Sequence, residues 1–398
     1  MEQIKENDME RKTPYYVIHK NELDNNFEKL KEALERHWNN YIIGYSYKTN
    51  ALPWIIKHFD SLGCFAETVS EDEYNLAKLI GVPKNKIIYN GPIKTKESFI
   101  EALKNDCIVN IDSQREIEWL SEIELEKIKV GIRVNFDIEK MCPGHSQCGE
   151  EGGRFGFCYE NGEFEKVIKK LKKRNIKISG IHLHTSSKSR GVEVYRAIAE
   201  MACCIQRKYK LELDYVDVGG GFFGGLPSKP QFEDYILSMA SILANCFDVN
   251  KTKLIVEPGM AVIGAPVSYV TSVIDVKDTE YNRFVITDGT RTSIDPLMTK
   301  SAYFHSFETN EKRQLHPKQV ICGYTCMEHD RIFEEKNGPM LKPGDKIEYK
   351  KVGAYTMCLT PLFIKYFPDV YVEDGTNIKL VRKAWGPEEY IINSIIEE

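Results

Sequence analysis

The chain has no apolar run approaching the twenty or so residues that a bilayer-crossing helix needs, so an integral helical membrane protein is not expected. It also lacks a strong excess of charge. Its 54 Lys and Arg against 59 Asp and Glu give a formal net charge of −5, which offers no general argument for nucleic acid or an anionic membrane as partner. The lysines from Lys169 to Lys173 sit among apolar residues at helical spacing and read as one solvated helix face. Internal repeats and low-complexity tracts are missing. The stretch Met1 to Lys12 is polar and mixed in charge, without the apolar core of a signal peptide, so secretion is not expected. Cysteine is present but unorganised: eleven residues, an odd number, scattered along the chain. Cys107, Cys203, Cys204 and Cys246 fall on or beside predicted strands or helices, where cysteine behaves as a small buried hydrophobe, and a reducing cytoplasmic setting is expected. Cys142 and Cys148 flank His145, but no second pair of ligands follows at zinc-site spacing, so no metal is expected.

At 398 residues, 42% hydrophobic and 28% charged, the sequence suits a soluble globular protein of two domains, or one large domain with additions. From residue 41 to about 258, short β-rich runs alternate with helical patterns. The strand candidates are 41–47, 63–67, 86–90, 108–112, 129–135, 178–184, 214–218 and 253–257. Segments 71–81, 95–105, 163–174, 191–208 and 231–247 carry apolar residues every three to four positions. This alternation predicts an α/β fold, a (β/α)8 TIM-type barrel, with a doubly wound open sheet as its rival. Past Pro258 the strands at 267–276, 284–286, 319–321, 346–350 and 369–372 are joined by turns such as Lys342-Pro343-Gly344-Asp345, which predicts a second, mainly antiparallel β domain. Tyr15-Tyr16-Val17-Ile18 reads as an extra strand able to cross over to it. The expected domains are therefore 20–265 for the barrel and 1–19 plus 266–398 for the β domain.

In a parallel barrel, residues just after the strands face the active site. Lys48 follows the apolar run 41–47, which puts a primary amine at the mouth, where a covalent bond to a carbonyl cofactor is expected; a solvated charge is the plainer reading. Gly219-Gly220-Gly221 ends the seventh strand and lets backbone N–H groups approach an anion such as phosphate, or simply makes a tight turn. Glu257-Pro258-Gly259 ends the eighth; a carboxylate there needs a partner, and a protonated pyridine nitrogen suits it, unless the glutamate merely caps or lies on the surface. His182 and His184 share one side of the sixth strand, where an imidazole can stack on a cofactor ring and the Ser187 hydroxyl can bind phosphate; the alternative is a pair of core histidines. Tyr355, in Gly353-Ala354-Tyr355-Thr356, and the run from Cys322 to Asp330 are the titratable features of the β domain. Packing and a solvated loop are their plainer readings.

Together these segments resemble the fold-type III pyridoxal-phosphate decarboxylases, the group of diaminopimelate, ornithine and arginine decarboxylases with an alanine-racemase-like fold. The resemblance runs from about Thr13 to about Pro368. Lys48 matches the cofactor lysine and Glu67 an acidic position beside it. Arg154-Phe155-Gly156 matches a basic-Phe-Gly motif. His184-Thr185-Ser186-Ser187 matches the segment whose histidine stacks on the pyridine ring and whose last serine touches phosphate. Gly219 to Gly221 match the phosphate glycines, and Glu257-Pro258-Gly259 the motif that pairs with the ring nitrogen. Asp288, Cys326 and Tyr355 resemble positions that act on substrate or bind phosphate, with Asp330 in the same loop as Cys326. The resemblance implies pyridoxal 5'-phosphate as cofactor and decarboxylation of an amino acid. It further implies a homodimer in which the cysteine loop enters the partner subunit's site and Cys326 helps in protonation.

Three positions depart from the family pattern. Met260 stands where an arginine usually follows Glu-Pro-Gly, Met327 where an acid usually follows the cysteine, and Ser186 where glycine precedes the phosphate serine. Glu328 lies one place late. Arg291, after Asp288-Gly289-Thr290, is a candidate replacement anion-reader, or else one half of an ion pair. Free ornithine, lysine or diaminopimelate is therefore disfavoured as substrate, and a modified or carrier-linked amino acid of a specialised pathway is favoured. An amino-acid racemase, which needs a base on each face of its substrate, and a non-catalytic regulatory homologue are the rival readings.

Overall fold

The computed structural model describes residues 11–123 and 127–395. Two compact units emerge, Asn26–Ala261 and the flanking stretches up to Asn25 and from Val262.

The first unit is a closed parallel barrel. Its strands are β1 Tyr41–Ser46, β2 Phe65–Ser70, β3 Ile87–Ile93, β4 Ile108–Ile111, β5 Lys129–Asn135, β6 Lys177–His182, β7 Tyr215–Asp217 and β8 Lys253–Val256. Every adjacent pair is parallel; β8 pairs with β1 (Ile255 opposite Ile42) and β4 with β5 (Asn110 opposite Gly131), which closes the ring and excludes the open sheet. Strands buried on both faces read as near-continuous apolar runs, as in Ile87-Ile88-Tyr89 and Leu254-Ile255-Val256. Inside, the Tyr215 ring takes space that only glycine leaves: a Cβ on Gly180 would lie 2.2 Å from that ring, and one on Gly131 2.1 Å from its hydroxyl.

The helices cover the ring with one apolar stripe each. In Glu163–Lys173 the buried residues are Phe164, Val167, Ile168 and Leu171, and the lysines face out as the spacing predicts. Glu71–Ile80 starts at Ser70, whose side chain accepts from Glu73 N, and stops at Gly81 in the left-handed region (φ +89°). Helices Lys20–His37, Pro53–Ser61 and Gln114–Trp119 are additional to the expected segments, as is the two-residue strand Phe157–Cys158 beside β5.

In the second unit the sheet order is Arg331–Pro339, Leu315–Cys322, Arg283–Thr287, Val267–Asp278, Tyr15–His19, Asp369–Asp374 and Asn377–Arg382; Lys346–Lys350 pairs with both Val267–Asp278 and Phe304–Glu308. Two of its pairings are parallel, Tyr15–His19 with Asp369–Asp374 and Arg283–Thr287 with Leu315–Cys322, and the rest are antiparallel. A register shift between Val273 and Asp275 lets the long strand Val267–Asp278 pair first with Lys346–Lys350 and then with Arg283–Thr287.

Candidate functional site

The C-terminal ends of the barrel strands bring polar side chains to one place. Lys48 sits in the single 3-10 turn Tyr47–Thr49 that follows β1. Its Nζ lies 2.5 Å from Glu67 Oε2, and that same oxygen accepts from Ser46 Oγ at 2.6 Å. Glu67 is buried in β2. Asn90, buried near the end of β3, donates to Glu67 Oε1 at 3.0 Å and to Glu257 Oε1 at 2.5 Å, so one amide ties two carboxylates together. Asn110 donates to Asn90 Oδ1 (2.8 Å) and accepts from the Tyr215 hydroxyl (2.7 Å). A continuous buried chain of hydrogen bonds therefore runs from the barrel interior to Lys48, and it fixes the orientation of every amide along it.

Glu257 is buried just after β8, with His182 Nε2 3.4 Å from its Oε2. Desolvation alone would raise its pKa, but the nearby His182 ring, followed by the Lys48 charge, outweighs it and holds the carboxyl below its ordinary range. Asp217, at the end of β7, is raised well above the ordinary range by burial and then by the nearby Glu257 charge. The pair therefore divides its roles, Glu257 ionised and Asp217 neutral. Asp217 Oδ2 and both ring nitrogens of His182 are buried without hydrogen-bond partners, although Asp217 Oδ1 accepts from Gly219 N at 2.9 Å. Donor atoms of His182, Asp217 and Glu257 all lie within 4.8 Å of one another, a spacing that a metal would also accept.

His184 lies two residues past the end of β6, so the expected strand alternation with His182 stops short of it. Leu183 N still bonds to Asp217 O (2.8 Å), and the two imidazoles remain nearly parallel, 23° apart with centroids separated by 6.3 Å. Desolvation first, then the Arg133 guanidinium, lowers the His184 pKa to about 3, leaving a flat neutral ring. Its partner surface is the glycine loop. A Cβ on Gly219 (φ +70°) would meet His184 at 2.5 Å, and one on Gly220 would lie 2.0 Å from Glu257 O. One on Gly259 would lie 2.0 Å from Thr49 Oγ1. Ser187 Oγ accepts from Arg190 N at 3.0 Å.

Beside His184 opens a cavity of about 590 Å³ under the loop 136–156, with Arg133, Arg154, Phe155, Gln147 and Cys148 among its walls. Both guanidiniums stack on Phe155, Arg133 at 4.6 Å and Arg154 at 4.1 Å from the ring centre. Arg133 Nη1 also reaches Asp112 Oδ2 at 3.3 Å.

The remaining candidates lie in the second unit. Cys326, Met327, Glu328 and Asp330 line a hollow of about 350 Å³ together with Lys277 and Phe284. Cys326 is exposed. Asp330 is buried and accepts from Thr290 Oγ1, Arg291 N and Thr325 Oγ1 at 3.0, 2.9 and 2.7 Å, which makes it the post around which the cysteine loop winds. Glu328 is almost fully exposed and pairs with Arg331 (3.2 Å). Arg291 gives its donors to Asp295 (3.1 Å) and to the carbonyls of Met298 and Lys300, the ion-pair arrangement rather than a free anion-reader. Asp288 accepts from Thr13 Oγ1 (2.6 Å) and Ser272 N (2.8 Å). Tyr355 is partly exposed in the left-handed region (φ +56°).

A primary amine against a buried carboxylate, a flat neutral imidazole, a second buried carboxylate held ionised, and a glycine loop with no room for side chains fit an aromatic aldehyde phosphate with a ring nitrogen. Barrel and donor set together define a pyridoxal-phosphate enzyme of the (β/α)8 class. The chain belongs to the pyridoxal-dependent decarboxylases: residues 20–264 match that family's pyridoxal binding domain, and the protein is a pyridoxal-phosphate-dependent amino-acid decarboxylase. It is 27% identical over 382 residues to the diaminopimelate decarboxylase of Aquifex aeolicus (strain VF5), covering 93% of this chain and 89% of that one. With the Methanocaldococcus jannaschii enzyme of the same name it shares 28% over 366 residues, 86% and 82% of the two chains. The crystal structure of the M. jannaschii diaminopimelate decarboxylase in complex with L-lysine superposes with a TM-score of 0.83 at 25% identity, over 97% of this chain and 92% of that one. The arginine decarboxylase of Paramecium bursaria Chlorella virus shares the fold at a TM-score of 0.77 and 20% identity, over 91% and 96%. Among the described residues no helix is long and apolar enough to cross a membrane.

Sequence reading passed over Asn90, Asn110, Arg133, Asp217 and Tyr215. Their signal was there: each is a polar or hydroxylated residue inside an otherwise apolar parallel strand, where burial demands a partner.

Proposed function

We propose that the protein decarboxylates an amino acid or amino-acid derivative whose far end is not a small free ammonium group, in a specialised biosynthetic pathway, and acts as a homodimer with shared active sites in a reducing compartment. The observation that carries the specificity is the pair Met260 and Met327, thioethers where the family resemblance leads one to expect an arginine and a carboxylate; Glu328, the nearest carboxylate, is turned outward and paired with Arg331. Burying an ammonium without a carboxylate costs several kcal/mol, so free ornithine, lysine or diaminopimelate should turn over about three or more powers of ten more slowly than the true substrate. The names of the relatives favour a second reading, diaminopimelate itself.

In this reading Lys48 would hold pyridoxal phosphate through its carbonyl. Bound there, pyridoxal phosphate supplies an electron sink for the pair left behind when carbon dioxide departs. The chain's own residues set its terms. Glu67 holds the Lys48 ammonium in place, and Asn90 keeps Glu67 and Glu257 at fixed separation. Glu257, kept anionic by His182 while Asp217 stays neutral, would retain the proton on the ring nitrogen. The flat, neutral His184 ring would offer the cofactor ring an apolar face. Ser187, Gly219, Gly220, Gly221 and Gly259 would hold the phosphate; the family resemblance assigns Tyr355 to it as well. Asp288, Arg291, Met327, Glu328, Asp330 and Met260 bear on the substrate's far end or shape the segments that do. Cys326 of a second copy delivers a proton to the product.

Borohydride reduction followed by peptide mapping should put the pyridoxyl group on Lys48, and Lys48→Ala should lower the rate by orders of magnitude. A label on another lysine refutes the assignment. Carbon dioxide release across a panel of free and derivatised amino acids tests specificity. Efficient turnover of diaminopimelate, lysine or ornithine would overturn the reading of the two methionines.

A further inference from the structure

Resting on the reading that the glycine loop holds the cofactor phosphate, we infer that Arg190 is the cation of that anion site, reaching it from a different segment to the place where Met260 offers no charge. Three observations converge on it.

The first is position. Arg190 ends the loop after His184 and adopts a left-handed conformation (φ +52°) that side chains enter only when their surroundings hold them there. Two hydrogen bonds do so: its N–H donates to Ser187 Oγ (3.0 Å), and its carbonyl accepts from the Tyr235 hydroxyl (2.7 Å). The second is the link to the glycine loop. The same Tyr235 hydroxyl accepts from Phe223 N at 3.4 Å, while the Tyr195 hydroxyl donates to Gly220 O at 3.1 Å. The two tyrosines and buried Phe222 pack on one another with centroids 4.6 to 5.3 Å apart, so both loops hang from one rigid cluster. The guanidinium lies over the Phe223 ring at 5.4 Å, and its Nη1 stands 2.7 Å from Met260 Sδ. The third is unmet demand. Among the described residues nothing accepts from the N–H of Gly221 or of Phe222, although Phe222 is fully buried. Buried N–H donors are almost always satisfied, so an acceptor belongs there. These two donors lie on the loop whose next residue, Phe223, carries the Arg190 guanidinium over its ring, and donors with a guanidinium on the same loop select a tetrahedral oxyanion over a neutral group.

The other charges nearby do not serve equally. Lys229 stacks on Phe223 at 5.2 Å from the ring centre and is a second, more outlying cation. Glu193 is engaged with His145 at 3.2 Å.

The test measures cofactor binding, not turnover. Apparent dissociation constants for pyridoxal 5'-phosphate and for pyridoxal, which lacks the phosphate, are read by the visible absorbance of the wild-type protein, Arg190→Ala, Arg190→Lys and Arg190→Ala with Met260→Arg. Arg190→Ala should weaken the phosphate form about tenfold or more and leave pyridoxal unchanged. Arg190→Lys should fall between, and the added Met260→Arg should restore most of the loss. Far-UV circular dichroism confirms that the variants fold. Unchanged affinity for the phosphate form, or equal weakening of both ligands, would overturn the inference, as would a rise in substrate KM alone. A wild-type protein that binds neither ligand would instead defeat the underlying reading of the site.

Discussion

At the scale of single residues, the site depends on unequal treatment of two neighbouring carboxyls. Asp217 and Glu257 are both buried, yet only Glu257 has cations at hand to stabilise its charge. The consequence for stability follows from proton counting. The folded Asp217 carboxyl keeps its proton well above pH 3.8, where the unfolded chain has already released it. The native state then binds the extra proton, so stability falls as pH rises through that window, and none of this cost is present below about pH 4. Asp217→Asn mimics the protonated form and removes the cost. Its melting temperature relative to the wild type should be unchanged near pH 4 and higher by a few degrees at pH 7.5. A variant that is less stable at pH 7.5 while matching the wild type at pH 4 would mean that Asp217 is ionised in the fold.

At the scale of elements, glycine marks where one segment presses on the next. Gly220 leaves no room for a methyl group, since a Cβ would lie 2.0 Å from the Glu257 carbonyl, whereas Gly63, with φ +90°, has open space around it. Gly63→Ala should cost about 1–2 kcal/mol from the backbone alone. Gly220→Ala must displace a strand-end carbonyl, for about 1–3 kcal/mol, and should also release the cofactor, which Gly63→Ala should not. Cofactor retention after gel filtration separates the two effects; equal retention would show that the loop tolerates the shift. The elements themselves were legible wherever period and length agreed: eight apolar runs separated by helical stretches gave the barrel, and the turn-rich strands after Pro258 gave the second sheet. What sequence could not carry was contact. Asn90 is an unremarkable polar residue in Ile88-Tyr89-Asn90-Gly91 until the closed ring sets it between Glu67 and Glu257. For Arg291 the sequence left an anion-reader and an ion pair open, and Asp295, one helical turn on, decides for the ion pair.

For the whole molecule, the question is how many chains make one site. Lys48, Glu67, His184 and Glu257 come from Asn26–Ala261, while Cys326 rides on a loop of the second unit, exposed and braced from behind by buried Asp330. An exposed thiol on a braced loop is presented outward with little conformational freedom to lose, which suits delivery into a second copy. If Cys326 serves the partner subunit's site, then Lys48→Ala and Cys326→Ala damage different subunits of each shared site. Two inactive proteins mixed under exchange conditions form about half mixed dimers by random assortment. Each mixed dimer carries one doubly damaged and one intact site, so roughly a quarter of wild-type activity should return. Sedimentation should show a dimer throughout, and the recovered rate should rise with the mixed fraction, peaking at equal input. No recovery despite demonstrated subunit exchange, or full activity from a strictly monomeric protein, would place Cys326 and Lys48 in service of the same chain.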